Sequence, residues 1–401
     1  MATAIQTLGA VTATSLGVFG PILVDELELD AARYGLLVGS MNVGALPTLM
    51  AGASIVDRLG PGRSLALSGL ASAAGLVVFA ANVNFLVTLA ALTVAGGGWG
   101  LSAISGSGAI IELAPFRQRG VLISIRQLSL PLGGIVAGVL VPLVGLWGWQ
   151  LVFVAQAGAF LVFAALATQW PRARAVSRPR SSRRRPPRRA IQLGFLSIAM
   201  SSGQWAFLVY VTIEMTGRLG VPFETAAVIF VATQAVGAVA RVVLGMVTDR
   251  LGPPRTKLLA VTSATSALCL LAFGLLGPDV PTPVVAGLAV VASVFVVGWN
   301  GVMIVEMAEA GPRREVNQNL AAGMTLARIG NILAPPITGS LIVVIGSTGS
   351  WIVVAIVMTA ASLGCLLIGG GPIGPGGREL NVSGGASGET AAGPTRASAD
   401  T

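Results

Sequence analysis

Arg126, Arg241 and Arg328 each lie inside a long apolar stretch of the chain. An ionisable group at such a place is costly unless it is paired or hydrated, so each of the three is a candidate binding group. A planar guanidinium can hold a carboxylate through two parallel charge-assisted hydrogen bonds, and a water-poor setting strengthens them. At 1.5 Å per helical residue, Arg241 lies ~12 Å inward from Asp249, Arg126 ~9 Å inward from Gly120 and Arg328 ~13 Å inward from Asn319. Three cations at similar depth on three stretches point to a shared aqueous cavity. The competing reading for Arg241 is a side chain that snorkels to the surface. Trp99 and Ser102, Gln204 and Trp205, and Trp299 and Asn300 also stand at mid-stretch. Their polar groups can hydrogen-bond a ligand, and each Trp supplies a rigid wall or ordinary packing.

Other chemistry finds no such support. The chain has no His, and no nucleophile–base pair is visible, so no catalytic residue and no enzyme activity are expected. Cys269 and Cys365 stand alone, which argues against a metal site, a cofactor or a disulfide framework. Glu214, Glu112 and Glu306 fall near the ends of their stretches, and no Asp or Glu lies in the middle of one. Proton symport through a buried acid is therefore unsupported. Uniport, anion exchange, or a weak acid that carries its own proton fits better.

The elements that position these residues follow from composition. Hydrophobic residues make up 54% of the chain and charged residues 10%, with a mean hydropathy of +0.83. Soluble domains carry about 25% charged residues, so the bilayer is the solvent here. About 20 apolar residues cross the hydrocarbon as a helix. Pro, Gly and charge clusters leave twelve such spans, near 3–23, 34–55, 64–82, 86–111, 120–143, 149–169, 190–213, 225–247, 257–276, 283–305, 319–344 and 350–369. Their continuous apolarity excludes barrel strands, which alternate with period two. The first stretch lacks a basic lead-in and is followed by eleven more, so it reads as a first span rather than a signal peptide. Gly96, Gly97, Gly98, Gly100, Gly106 and Gly108 in span 4, and Gly133, Gly134 and Gly138 in span 5, read as close helix contacts.

Of 25 basic residues, 20 fall on one side when the N-terminus is placed inside; Arg33 and Arg218 fall outside and three lie within spans. Positive charge resists translocation, so both ends are expected in the cytoplasm of a cell (inner or plasma) membrane. Nine arginines between Arg172 and Arg189 form a solvated linker that touches anionic lipid, rather than a nucleic-acid site. The expected organisation is a six-helix bundle at 1–169, a basic linker at 170–189, a second bundle at 190–370 and a disordered tail at 371–401.

Asp57-Arg58-Leu59-Gly60-Pro61 recurs as Asp249-Arg250-Leu251-Gly252-Pro253, 192 positions later, and Arg63 and Arg255 hold matching places beyond. Two six-span halves, a basic central loop and this repeated loop after spans 2 and 8 resemble the major facilitator superfamily. The resemblance implies an all-α membrane protein of two pseudo-symmetric six-helix bundles, with spans 1, 4, 7 and 10 lining a central cavity. It implies a gating role for the loops: Asp57 and Asp249 face the positive N-termini of helices in the opposite half. Arg58 then pairs with Glu112, and Arg250 with Glu306; simple loop tethering is the competing reading. The spacing Arg241-x-x-x-Gly245-x-x-x-Asp249 resembles span 8 of oxalate/formate exchangers and monocarboxylate transporters, where the matching arginine holds the substrate carboxylate. Other segments look like cyanate, nitrate and organic-anion members. The function implied is transport of a small-molecule substrate by alternating access, a carboxylate foremost, by a functional monomer. The alternative is a drug or metabolite exporter, since Leu130-Pro131-Leu132-Gly133-Gly134 approaches the Gly-Pro-x-x-Gly-Gly of such exporters.

Overall fold

A computed structural model describes residues 2–113, 128–169, 187–251, 254–311 and 316–369, and their regular structure is helical throughout. Span 1 is a bent pair, Ala2–Val18 and Gly20–Glu26, turning by 65°. Span 2 is Ala31–Leu59, with Pro47 inside it removing a helical hydrogen bond. Spans 3 and 4 are Pro61–Ala80 and Phe85–Leu113. Span 5 starts as Ser129–Val139 and continues into Val141–Thr168, which breaks at Gly148 and goes on as span 6. Spans 7 to 10 are Arg188–Gly217, Phe223–Leu251, Arg255–Leu275 and Thr282–Ala308. Spans 11 and 12 are the two sides of Val316–Ile368, divided at Gly346.

Among the described residues, eight helices are long and apolar enough to cross a membrane alone, or ten when each bent pair counts as one span. Dividing at Gly346 and joining Ser129–Val139 to the turns before Gly148 brings the segments into line with the twelve apolar stretches. Local chemistry sets the ends. Asp30 accepts from the Arg33 amide at 2.7 Å and Asn84 from the Val87 amide at 3.0 Å, each satisfying an orphan donor of a first turn. Gly148 (φ 78°) and Gly346 (φ 75°) occupy the left-handed region that only glycine enters freely, and each reverses the chain between two spans. Span 7 begins at Arg188, two residues earlier than the apolar stretch, because Pro187 fixes an extended start. Arg188 and Arg189, read in the sequence as linker, are thus helical.

Each half has a fully buried tryptophan packed against a phenylalanine. Trp149 lies 5.2 Å from Phe79 and 6.2 Å from Phe153, between ring centroids. Trp351 meets Phe273 edge-on at 5.6 Å. Phe273 follows Phe79 by 194 positions, close to the loop repeat, whereas Trp351 follows Trp149 by 202.

The halves meet tightly at one end and part toward the other. At the end carrying Glu26 and Glu214, a Cβ added to Gly35 would lie 2.3 Å from the Pro335 carbonyl, and one on Gly339 would lie 2.0 Å from that of Ala31. Tyr210 donates between the carbonyls of Pro335 (2.7 Å) and Ala31 (3.0 Å), and it stacks edge-on against Tyr34 at 6.1 Å. One turn further along, a Cβ on Gly39 would reach only to 3.1 Å from the Ile332 carbonyl. Beyond Asn42, span 2 bends by 55° between Thr48 and Met50, and there Met50 is 73% exposed and Asp57 and Arg58 are exposed as well. Spans 2 and 11 therefore form a wedge, shut at the glutamate end and splayed at the end with the repeated loops.

Candidate functional site

Two polar clusters stand at mid-depth, and both contain an arginine. In the C-terminal half, Arg241 of span 8 donates from Nε to the Val297 carbonyl of span 10 at 3.1 Å. The Asn300 amide donates to the same carbonyl at 3.3 Å and to Gln204 Oε1 of span 7 at 2.7 Å. One carbonyl thus ties Arg241, Asn300 and Gln204 into a connected set across three spans. Spans 8 and 10 pack closely here: a Cβ on Gly301 would lie 3.2 Å from the Arg241 backbone carbonyl.

The second cluster spans the two halves. Arg328 of span 11 donates from Nη1 to Asn42 Oδ1 of span 2 at 3.4 Å. Its guanidinium carbon lies 5.2 Å from the centre of the Trp99 ring of span 4, within cation–π range. Asn42 is a neutral amide that the sequence reading passed over, and the signal for it was an amide at the middle of span 2. Among the described residues, neither Arg241 nor Arg328 has a carboxylate within ion-pair distance.

The remaining candidates divide. Ser102 donates back to the Trp99 carbonyl at 2.7 Å, on its own helix. Trp205 is buried in the main apolar core. Trp299 lies in a separate cluster with Leu193, Met200 and Met303, and its indole N–H is taken by the Val296 carbonyl at 3.0 Å. That geometry makes Trp299 a packing residue of the C-terminal half, because its polar atom is already satisfied. Arg126 lies outside the described residues.

The loop residues are arranged differently from the sequence expectation. Glu306 is bound by Arg189 at 2.6 Å, not by Arg250, which is exposed. The physical reason is the early start of span 7, which carries Arg189 to the buried Glu306 while Arg250 ends its helix facing outward. Arg255 pairs instead with Glu309. Asp57 and Arg58 are exposed, and the side chains of Glu112 and Asp249 lie outside the described residues.

Two like bundles of membrane-crossing helices, joined at one end and parted at the other around polar groups at mid-depth, define a polytopic membrane carrier. The family pattern of the Major Facilitator Superfamily matches residues 3–335, and the chain belongs to that superfamily of transporters. Over 307 residues it is 27% identical to the gallate transporter of Pseudomonas putida, covering 65% of this chain and 67% of that one. Among solved structures, a bacterial homolog of the human lysosomal transporter Spinster, inward-facing and occupied, has a TM-score of 0.76 at 16% identity, covering 92% of this chain and 95% of that one. The D-xylose–proton symporter has a TM-score of 0.70 at 17% identity, covering 90% and 96%. At such identities these likenesses establish the fold.

Proposed function

We propose that this transporter carries a small organic anion, a carboxylate, by alternating access. The observation that carries the reading is that Arg241 and Arg328 stand at mid-depth without a carboxylate partner among the described residues. A guanidinium held by one hydrogen bond and a ring face keeps further N–H groups for a ligand, and a carboxylate is the anion whose geometry they match. Gallate, which names the Pseudomonas relative, is itself a carboxylate.

The clustering of basic residues puts the repeated loops in the cytoplasm, with both termini there and the protein in the cell membrane. The wedge is then open inward, and the Tyr210 contacts form its outer seal. Rocking of the halves opens that seal and closes the cytoplasmic side, where Asp57, Arg58, Glu112, Asp249, Arg250 and Glu306 act as the gate, with Arg189 as the partner of Glu306. The working unit is the monomer, and transport proceeds as uniport or exchange, or with the proton that a weak acid brings.

Uptake by proteoliposomes of formate, oxalate, succinate, benzoate and gallate, with and without a pH gradient, tests the reading. At least one anion enters, and Arg241→Ala stops it while the protein still inserts. Equal uptake by the mutant removes Arg241 as the anchor. Expulsion of cationic dyes with no anion uptake favours an exporter.

A further inference from the structure

Asn42 combines three properties that no packing role requires. It is 1% exposed, it sits at the contact between the halves, and its Nδ2 has no protein acceptor among the described residues. Exchanging the two amide atoms does not help. Arg328 can only donate, so the carbonyl oxygen of Asn42 must face it and the NH2 must be the group left over. A buried donor without an acceptor is costly, and native structures keep few of them.

The surroundings hold that donor in place rather than letting it turn away. Spans 2 and 4 touch backbone to backbone on both sides of Asn42. A Cβ on Gly44 would lie 1.7 Å from the Thr93 carbonyl, and one on Gly96 would lie 1.8 Å from that of Met41. Trp99, three residues beyond Gly96, is fixed in turn by Gly9 of span 1, whose Cβ would fall 2.1 Å from the indole ring. The glycines of span 4 therefore have a local consequence. They set a wall (Trp99) and a donor (Asn42) of the N-terminal half against a cation (Arg328) of the C-terminal half.

We propose that Asn42 is a specificity-determining residue of the carrier: its Nδ2 donates to one oxygen of the carboxylate whose other oxygen is held by Arg328. This rests on the carboxylate reading above. A carboxylate is a fitting ligand because it offers two acceptor oxygens to two donors that already share the hydrogen bond between Arg328 and Asn42. Each half then supplies one donor. The bound anion then bridges the two halves beside the Arg328–Asn42 contact.

Concentration-dependent uptake by proteoliposomes of the same five acids separates the two levels of inference. Asn42→Leu has nearly the same size and no donor. It raises KM for the transported acid about tenfold to a hundredfold, the loss expected for a hydrogen bond to a charged group. Maximal rate stays near wild type, and Asn42→Gln, which keeps an amide donor, recovers part of the KM. An unchanged KM in Asn42→Leu, whether or not the maximal rate falls, overturns the role of Asn42 and leaves the carboxylate reading standing. Wild-type protein that carries none of the five acids overturns both. Should Asn42→Leu fail to reach the membrane, Asn42→Ala is read in the same way.

Discussion

The two halves share a scaffold and differ in what they hold at equivalent depth. In the C-terminal half, mid-depth polarity is cationic: Arg241 joins Asn300 and Gln204, and Arg328 reaches across to the other half. In the N-terminal half, the described mid-depth groups facing it are neutral, Asn42 and Trp99. Eight residues before Asp249 stands Arg241, whereas eight before Asp57 stands Leu49. The same division recurs at the shut end. Glu214 is 4% exposed and binds Arg218 and Ser347, while Glu26 is exposed and accepts from the Trp149 indole at 3.0 Å. Duplication preserved helices and turns, and among the described residues the mid-depth cations stand in the C-terminal copy; Arg126 of the N-terminal half lies outside the described residues.

The largest effect expected from this division is the loss of the cations. Arg241→Ala and Arg328→Ala each reduce carboxylate uptake by about a hundredfold, the upper end of the loss expected for a hydrogen bond between charged groups. A loss of similar size after Trp99→Ala would erase the distinction between a charged and a neutral half.

The glutamates come next. Glu214→Ala removes the carboxylate partner of Arg218, whose guanidinium also donates to the carbonyls of Phe273 and Leu276, and losing a charge-assisted hydrogen bond at this part-buried pair costs about 1.5–3 kcal/mol. Glu26→Ala removes one hydrogen bond at an exposed site, about 1 kcal/mol. Thermal unfolding in detergent should show a lower Tm for the first variant and a smaller decrease for the second. Equal decreases would mean that the two halves are built alike at this end.

Tyr210→Phe removes the hydroxyl that bridges span 7 to spans 2 and 11. The loss of about 1 kcal/mol shifts the balance between open and shut forms of that end about fivefold, measurable as faster thiol labelling of a cysteine placed at Ala31. The smallest effect separates the two anchoring tryptophans. Trp149→Phe loses a hydrogen bond to Glu26, whereas the Trp351 indole N–H has no acceptor among the described residues. Trp351→Phe should therefore lower Tm less than Trp149→Phe; the reverse order would show that ring volume outweighs the hydrogen bond.

Much of the architecture was legible because membrane helices write themselves as long apolar stretches, and the duplicated Asp-Arg-Leu-Gly-Pro loop supplied their register. Charge at depth was legible for the same reason, since an arginine stands out against Val and Leu. Rotation about a helix axis was not. Trp299 and Asn300 are neighbours in sequence, yet one faces an apolar cluster and the other meets Gln204. The partner of Glu306 was missed because two residues of helix before the apolar stretch bring Arg189 within reach. Asn42 was passed over because a lone amide barely alters the hydropathy of a span, and only its unmet N–H in three dimensions singles it out.

The chain contains two tyrosines, and both belong to the shut end of the wedge. Replacing them biosynthetically with 3-fluorotyrosine would give a fluorine spectrum of two resonances, with no assignment by mutagenesis needed beyond telling one from the other. Each would report the same event from opposite halves. The protein thus carries its own paired probe of opening, readable in a lipid nanodisc while a candidate acid is titrated in.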